Sequence, residues 1–179
     1  MGDGNARSLA DFERPNFSQE WYTVLDGVMG GYSLGVLRAS PEGTLVFAGN
    51  LSLENGGGFA SFRSKPKSMG LLPGDSIRVR VRGDGRTYSM TLYPDRCPTA
   101  FSYRSPLHTL PDIWQEISFP LAGFVANSFG RAVSDCDPLN PFDVRALGFL
   151  LGDKRPGPFR LELGGIWIAP PGGCLMGHE

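Results

Sequence analysis

The run Ile77-Arg78-Val79-Arg80-Val81-Arg82 places a branched apolar residue at every second position with an arginine after each. A repeat of two belongs to an extended strand with one buried and one solvated face, whereas a half-buried helix repeats at 3.6. After Gly83-Asp84-Gly85 the alternation resumes in Arg86-Thr87-Tyr88-Ser89-Met90-Thr91-Leu92-Tyr93. Two alternating runs joined by a short Asp-Gly segment predict a β-hairpin over residues 77–93.

The same reading predicts further strands at 20–25, 33–39, 44–53, 58–64, 100–104, 113–119, 144–151 and 159–168. In the strand at 44–53, Leu45, Phe47, Leu51 and Leu53 share one face, and in the last strand Phe159, Leu161 and Leu163 point inward. Val144 to Leu151 is apolar on both faces, as a central strand requires. Gly164-Gly165 predicts a bulge before Ile166-Trp167-Ile168. Short helical turns are expected at Lys67–Leu71 and Leu121–Phe124, and no long 3.6-residue stripe occurs. The chain holds 25 Gly and 15 Pro in 179 residues, an excess that suits tight turns between strands. The expected fold is therefore all-β, an antiparallel β-sandwich of the jelly-roll kind. One domain over residues 8–169 is expected, with mobile tails at 1–7 and 170–179.

Several function classes recede at this point. A net charge of −1 provides no general attraction to nucleic acid, and no nucleic-acid motif is present. Cys97, Cys136 and Cys174 are widely spaced and odd in number, which argues against a zinc cluster or disulfide framework and for a reducing compartment. The first residues show neither a secretory nor an import pattern, and no apolar run approaches a membrane span. A cytoplasmic protein, or one peripheral to a membrane, is expected.

Catalytic candidates are few. His108 sits in a Pro-flanked stretch without a nucleophile motif, and His178 lies in the C-terminal tail. Asp135, Asp137, Asn140 and Asp143 are oxygen-rich but match no calcium loop, and Asx clusters with proline usually build turns. Glu54, Glu116 and Glu162 could meet across strands, although cross-strand ion pairs explain them as well. The glycine runs in Asp26-Gly27-Val28-Met29-Gly30-Gly31 and Glu54-Asn55-Gly56-Gly57-Gly58 lack the Lys-Ser/Thr ending of a phosphate loop. The expectation is a protein that is not an enzyme and holds no metal or cofactor.

The outward arginines Arg78, Arg80 and Arg82 stand about 6.7 Å apart along one strand face. The hairpin would bring Thr87, Ser89, Thr91 and Tyr93 alongside, with Trp114, Glu116, Arg160 and Glu162 adding to a polar floor. Such a floor suits a sugar, an anionic peptide or a protein. The competing reading is a solvated face on which arginine pairs with Glu116 and Glu162. Arg82-Gly83-Asp84 spells an adhesion tripeptide, but its place between strands favours a turn.

Read together, several segments resemble the complex I intermediate-associated protein 30 family. They are Trp21 with Asp26-Gly27-Val28-Met29-Gly30-Gly31-Tyr32-Ser33, Phe47 through Arg63, Val81 through Tyr88, Trp114 with Phe119-Pro120 and Phe124, and Leu147 through Leu163. The resemblance implies a galactose-binding-like jelly roll. It further implies a role like that of mitochondrial members, which hold membrane-arm intermediates during assembly of respiratory complex I, or of photosynthetic relatives tied to photosystem biogenesis. Without a presequence or a fused nucleotide-binding fold, this chain is similar to a compact bacterial or cyanobacterial version. The expected function is a non-catalytic, chaperone-like binding module for a protein subunit or assembly intermediate of a membrane-bound electron-transfer complex. A lectin-like, carbohydrate-binding module is the alternative. The candidate binding residues are Asp26, Asn55, Arg63, Arg78, Arg80, Arg82, Asp84, Arg86, Tyr93 and Trp114. Their simpler reading is that Asp26, Asn55 and Asp84 satisfy turn backbone groups.

Overall fold

A computed structural model describes residues 5–98 and 100–171. Cys174 and His178, and most of the expected C-terminal tail, lie outside the described residues. Among the described residues, thirteen strands form two antiparallel sheets. The first sheet has the order β3 (Leu34–Ala39), β4 (Leu45–Leu51), β13 (Gly157–Ala169), β6 (Ser76–Arg82), β9 (Trp114–Pro120), and β1 (Arg7–Ala10) also pairs with β13. The second has the order β11 (Arg131–Ala132), β10 (Val125–Ser128), β8 (Phe101–His108), β7 (Thr87–Pro94), β12 (Val144–Leu151), β5 (Ala60–Ser64), β2 (Trp21–Leu25). The chain crosses repeatedly from one sheet to the other, giving a jelly roll.

Alternation fixes which residues meet between the sheets. Ile77, Val79 and Val81 from β6 are fully buried, as are Met90 and Leu92 from β7. Four phenylalanines join the layers: Phe159 and Phe47 lie 4.9 Å apart, Phe47 and Phe62 4.8 Å, and Phe62 and Phe149 5.3 Å between ring centroids. Each such pair contributes roughly 0.5–1.5 kcal/mol beyond the area it buries.

The predicted hairpin does not form. β6 lies in the first sheet between β13 and β9, while β7 lies in the second between β12 and β8. Residues 83–86 arch over the end of the sandwich, so the two apolar faces meet across the core instead of side by side. Period-two alternation is identical for a hairpin and for an arch, and the Asp-Gly turn serves both. As a result Thr87, Ser89, Thr91 and Tyr93 are on a different sheet from Arg78, Arg80 and Arg82.

The expected bulge is present, as a register shift between Leu163 and Gly165 against β6. The helical turn expected at 121–124 appears as a short 3-10 turn at Leu121–Gly123. That at 67–71 does not: the segment is irregular, Lys67 N–H donates to Arg145 C=O, and Met69 and Leu71 are drawn into the core. β1, β10 and β11 carried too little alternation to be predicted, and Arg7, placed in the expected tail, pairs with Ile168. β8 runs past residue 104 through Pro106. β10 covers β8 only at 101–104, so the proline's missing N–H falls on an edge with no neighbour.

Candidate functional site

The loop after β2 is built around one buried carboxylate. Asp26 is 0% exposed, and its Oδ1 accepts from Ser33 N–H at 3.0 Å. Its Oδ2 accepts from Ser33 Oγ at 2.5 Å, Gly58 N–H at 2.7 Å and Phe59 N–H at 3.3 Å. A Cβ at Gly31 or Gly57 would stand 2.5 or 2.7 Å from this carboxyl group, so close approach requires glycine at both. Burial alone would raise the Asp26 pKa, but the hydrogen bonds outweigh it and hold the carboxyl below its ordinary value. Asn55, at φ 54, donates from Nδ2 to Gly30 C=O at 2.7 Å and ties the second glycine loop to the first.

What the pinned loop displays is apolar. Val28 is 78% exposed, Met29 61%, Tyr32 62%, Leu34 67% and Val36 60%. Leu34 and Val36 point outward along β3, an edge strand of the first sheet, and Tyr32 stands two residues before its start. These residues escaped the sequence reading because β3 has apolar residues on both faces, and alternation then gives no sign of which side is buried. Val28-Met29 between glycines was the one legible signal.

The arch at 82–86 is held from within. Asp84 accepts from Arg86 N–H at 3.1 Å, Tyr88 Oη at 3.1 Å and Arg160 N–H at 2.8 Å. Arg86, 7% exposed, forms a two-pronged pair with Asp153 at 2.9 and 2.6 Å and donates to the carbonyls of Gly157, Pro158 and Arg155. The bond to Asp153 raises the Arg86 pKa against the effect of burial, and the same pair, again against burial, holds the Asp153 carboxyl below its ordinary value. Asp84 and Arg86 are thus engaged inside the fold.

On the outer face of the first sheet, Arg82 bonds Glu162 at 2.7 Å, Arg160 bonds the same oxygen at 3.2 Å, and Thr44 Oγ1 bonds the other at 2.7 Å. Arg80 and Arg82 lie 4.7 and 4.9 Å from the Trp114 ring centroid. Arg78 faces outward between Trp167 and Ser118 in register. Glu162 is spent on this network, and Glu116, opposite Arg80, does not meet it. The remaining candidates, Arg63 and Tyr93, lie on the outer face of the second sheet, where the Arg63 guanidinium stacks 4.2 Å from the Tyr93 ring centroid. Arg104, unnoticed in the sequence, stands on the same face.

Among the described residues no group of three or more His, Cys, Asp or Glu could hold a metal ion. Asn140 instead caps a short turn, accepting from Phe142 N–H and bonding Asp143. His108 Nδ1 is 3.1 Å from Thr87 Oγ1 at the exposed end of β8. Cys97 and Cys136 are free thiols. No helix among the described residues is long and apolar enough to cross a membrane.

The family model described as "Complex I intermediate-associated protein 30" matches residues 10–163. The chain belongs to this family. It is 31% identical over 160 residues to the probable complex I intermediate-associated protein 30, mitochondrial, of Caenorhabditis elegans, covering 77% of this chain and 46% of that protein. It is 27% identical over 184 residues to the corresponding protein of Mus musculus, covering 91% and 56%. The chain therefore spans about half the length of these relatives. Among solved structures, the family 11 carbohydrate-binding module of Clostridium thermocellum, in complex with a mixed-linked tetrasaccharide, superposes with a TM-score of 0.68 at 12% identity, over 95% of this chain and 98% of the module. A segment making up 25% of the agarase AgWH50C superposes with a TM-score of 0.66, also at 12% identity. At such identity the likeness shows the fold alone.

Proposed function

We propose that this member of the complex I intermediate-associated protein 30 family is a non-catalytic assembly factor. Its client would be a protein subunit or assembly intermediate of a membrane-bound electron-transfer complex of the complex I type, met at the membrane surface. One observation carries the reading. Five large apolar side chains stand 60% or more exposed on the Asp26 loop and β3, and the buried carboxylate beneath them holds the loop in one shape. Exposed apolar side chains beside an open strand edge are a hazard for a lone protein and a docking surface for one with a partner. The names of the relatives, given for association with complex I intermediates, supply the class of client. A lectin-like role draws support only from a fold shared at 12% identity.

The test is affinity capture from native membranes with the wild-type chain and with Leu34→Glu/Val36→Glu. Both positions are exposed, so the variant should keep its thermal melt. Wild type should recover subunits of an electron-transfer complex, and the variant should lose most of that recovery. Equal recovery by both, or no such subunit above background, removes the proposal.

A further inference from the structure

Among the described residues, the buried side-chain polar atoms without a hydrogen-bond partner are Arg63 Nε, Thr91 Oγ1 and Asn127 Oδ1. They belong to three different strands, β5, β7 and β10, and all lie on the outer face of the second sheet. Folded proteins rarely leave such atoms unpaired, and two of them, Arg63 Nε and Thr91 Oγ1, belong to residues of one row two strands apart, where a water, an ion or a ligand can complete the set.

Register places one row of residues across this face: Tyr22, Arg63, Gly148, Thr91, Arg104, Val125. The centre of the row is low. Thr91 is 0% exposed, and a Cβ at Gly148 would stand 2.4 Å from the Phe62 carbonyl oxygen, so that position has bare backbone. The ends are high, with Tyr22 39% and Val125 55% exposed. Arg63 and Arg104 flank the low centre with Cα atoms about 14 Å apart, three strand spacings, a gap that two extended guanidinium side chains narrow from both sides.

The two arginines share one patch. Arg63 lies against Tyr93, and the charged or titrating neighbours that bear on Arg104 are Tyr93 and Arg63. Burial lowers the Arg104 pKa and the like charge of Arg63 adds to that, while Tyr93 opposes both. Arg104 Nε donates to Ser102 Oγ at 3.0 Å. Neither arginine has a carboxylate within ion-pair distance among the described residues. Two positive charges are therefore held together, partly desolvated and without a carboxylate, and one buried donor, Arg63 Nε, has no partner.

We propose that this face binds the phosphate group of a small soluble phosphomonoester, clamped between Arg63 and Arg104 over Thr91 and Gly148. A phosphomonoester carries about −1.5 to −2 charge at neutral pH, which matches the two uncompensated guanidiniums. Its oxygens accept paired N–H donors from a guanidinium fork, above the buried Thr91. Tyr22 and Val125 stand exposed at the ends of the row and hinder a flat bilayer from approaching the guanidiniums between them. The site does not depend on the proposed protein client.

Isothermal titration of the full chain with inorganic phosphate and with glycerol 3-phosphate tests the site. Both should bind at one-to-one stoichiometry, and Arg63→Met or Arg104→Met should weaken binding at least tenfold while near-ultraviolet circular dichroism stays native. Arg104→Lys, which keeps the charge and loses the fork, should fall between. Nuclear magnetic resonance of the wild-type chain gives a reading that needs no variant: phosphate should shift the Nε–Hε signals of Arg63 and Arg104. No saturable binding, equal affinity in the variants, or shifts confined to other residues would overturn the proposal. So would binding to phosphatidic acid vesicles without binding of soluble phosphate, or binding of a neutral mixed-linked glucan tetrasaccharide at these arginines that phosphate does not displace.

Discussion

Arg82 and Arg63 both follow an apolar, core-facing residue on a strand, and both turn outward from the sandwich. Arg82 meets Glu162 at 2.7 Å and is joined there by Arg160 and Thr44. Arg63 meets the Tyr93 ring, with Arg104 as its charged neighbour, and keeps a buried Nε without a partner. The first sheet has a carboxylate in the row beside its arginines, whereas the second offers Gly148 and Thr91. A compensated arginine contributes to holding the fold, while an uncompensated pair costs stability and remains available to a ligand. The same residue type in the same local pattern thus takes opposite roles, according to what the neighbouring strand supplies.

The widest gap should appear at the arginine with the most complete set of partners. Arg86→Met takes from the largely buried Asp153 its cationic partner and should cost up to ~3 kcal/mol, read by urea unfolding; a loss near zero would erase the contrast. Asp26→Ala leaves the buried N–H donors of Ser33 and Gly58 without an acceptor, at about 1–3 kcal/mol each, and should also loosen the apolar rim, visible as faster hydrogen exchange across residues 26–36.

Acid should act on the compensated groups alone. Asp26, Asp153 and Glu162 all have folded-state pKa values below their ordinary ones, because hydrogen bonds and, for the last two, arginines outweigh burial. Their stabilisation is complete above the unfolded-state pKa, about 4, and is lost as pH falls through the lower folded values. Unfolding free energy measured from pH 6 downward should therefore drop below about pH 4, and Asp153→Asn should flatten part of that slope. The smallest effect belongs to the uncompensated pair. Arg63→Met or Arg104→Met should change stability by no more than about 0.5 kcal/mol, with a gain allowed because a like-charge contact disappears. A loss comparable to that of Arg86→Met would show that these arginines are structural.

Much of the architecture was legible beforehand. Ile77, Val79 and Val81 were read as inward and are fully buried, and the Gly164 bulge falls where the glycines announced it. The site was less legible. Tyr93 was expected on the face of Arg78, Arg80 and Arg82 and lies on the other sheet, because residues 83–86 form an arch. Arg104 gave no signal, since β8 reads as mixed polar sequence interrupted by Pro106. Asp26 was noticed as a turn former, yet nothing local reveals that Ser33, Gly58 and Phe59 converge on one carboxyl group.

By itself the sequence determined most of the segments that extend and, where apolar and polar residues alternate strictly, which face turns inward, because side-chain alternation is a local property of the backbone. The family likewise follows from the order and spacing of its motifs. Only the tertiary structure decided which strands became neighbours. It therefore decided which arginines received a carboxylate and which were left facing a glycine. Strand pairing is set by how loops cross between layers and by packing over the whole core, and no window of a few residues contains that information.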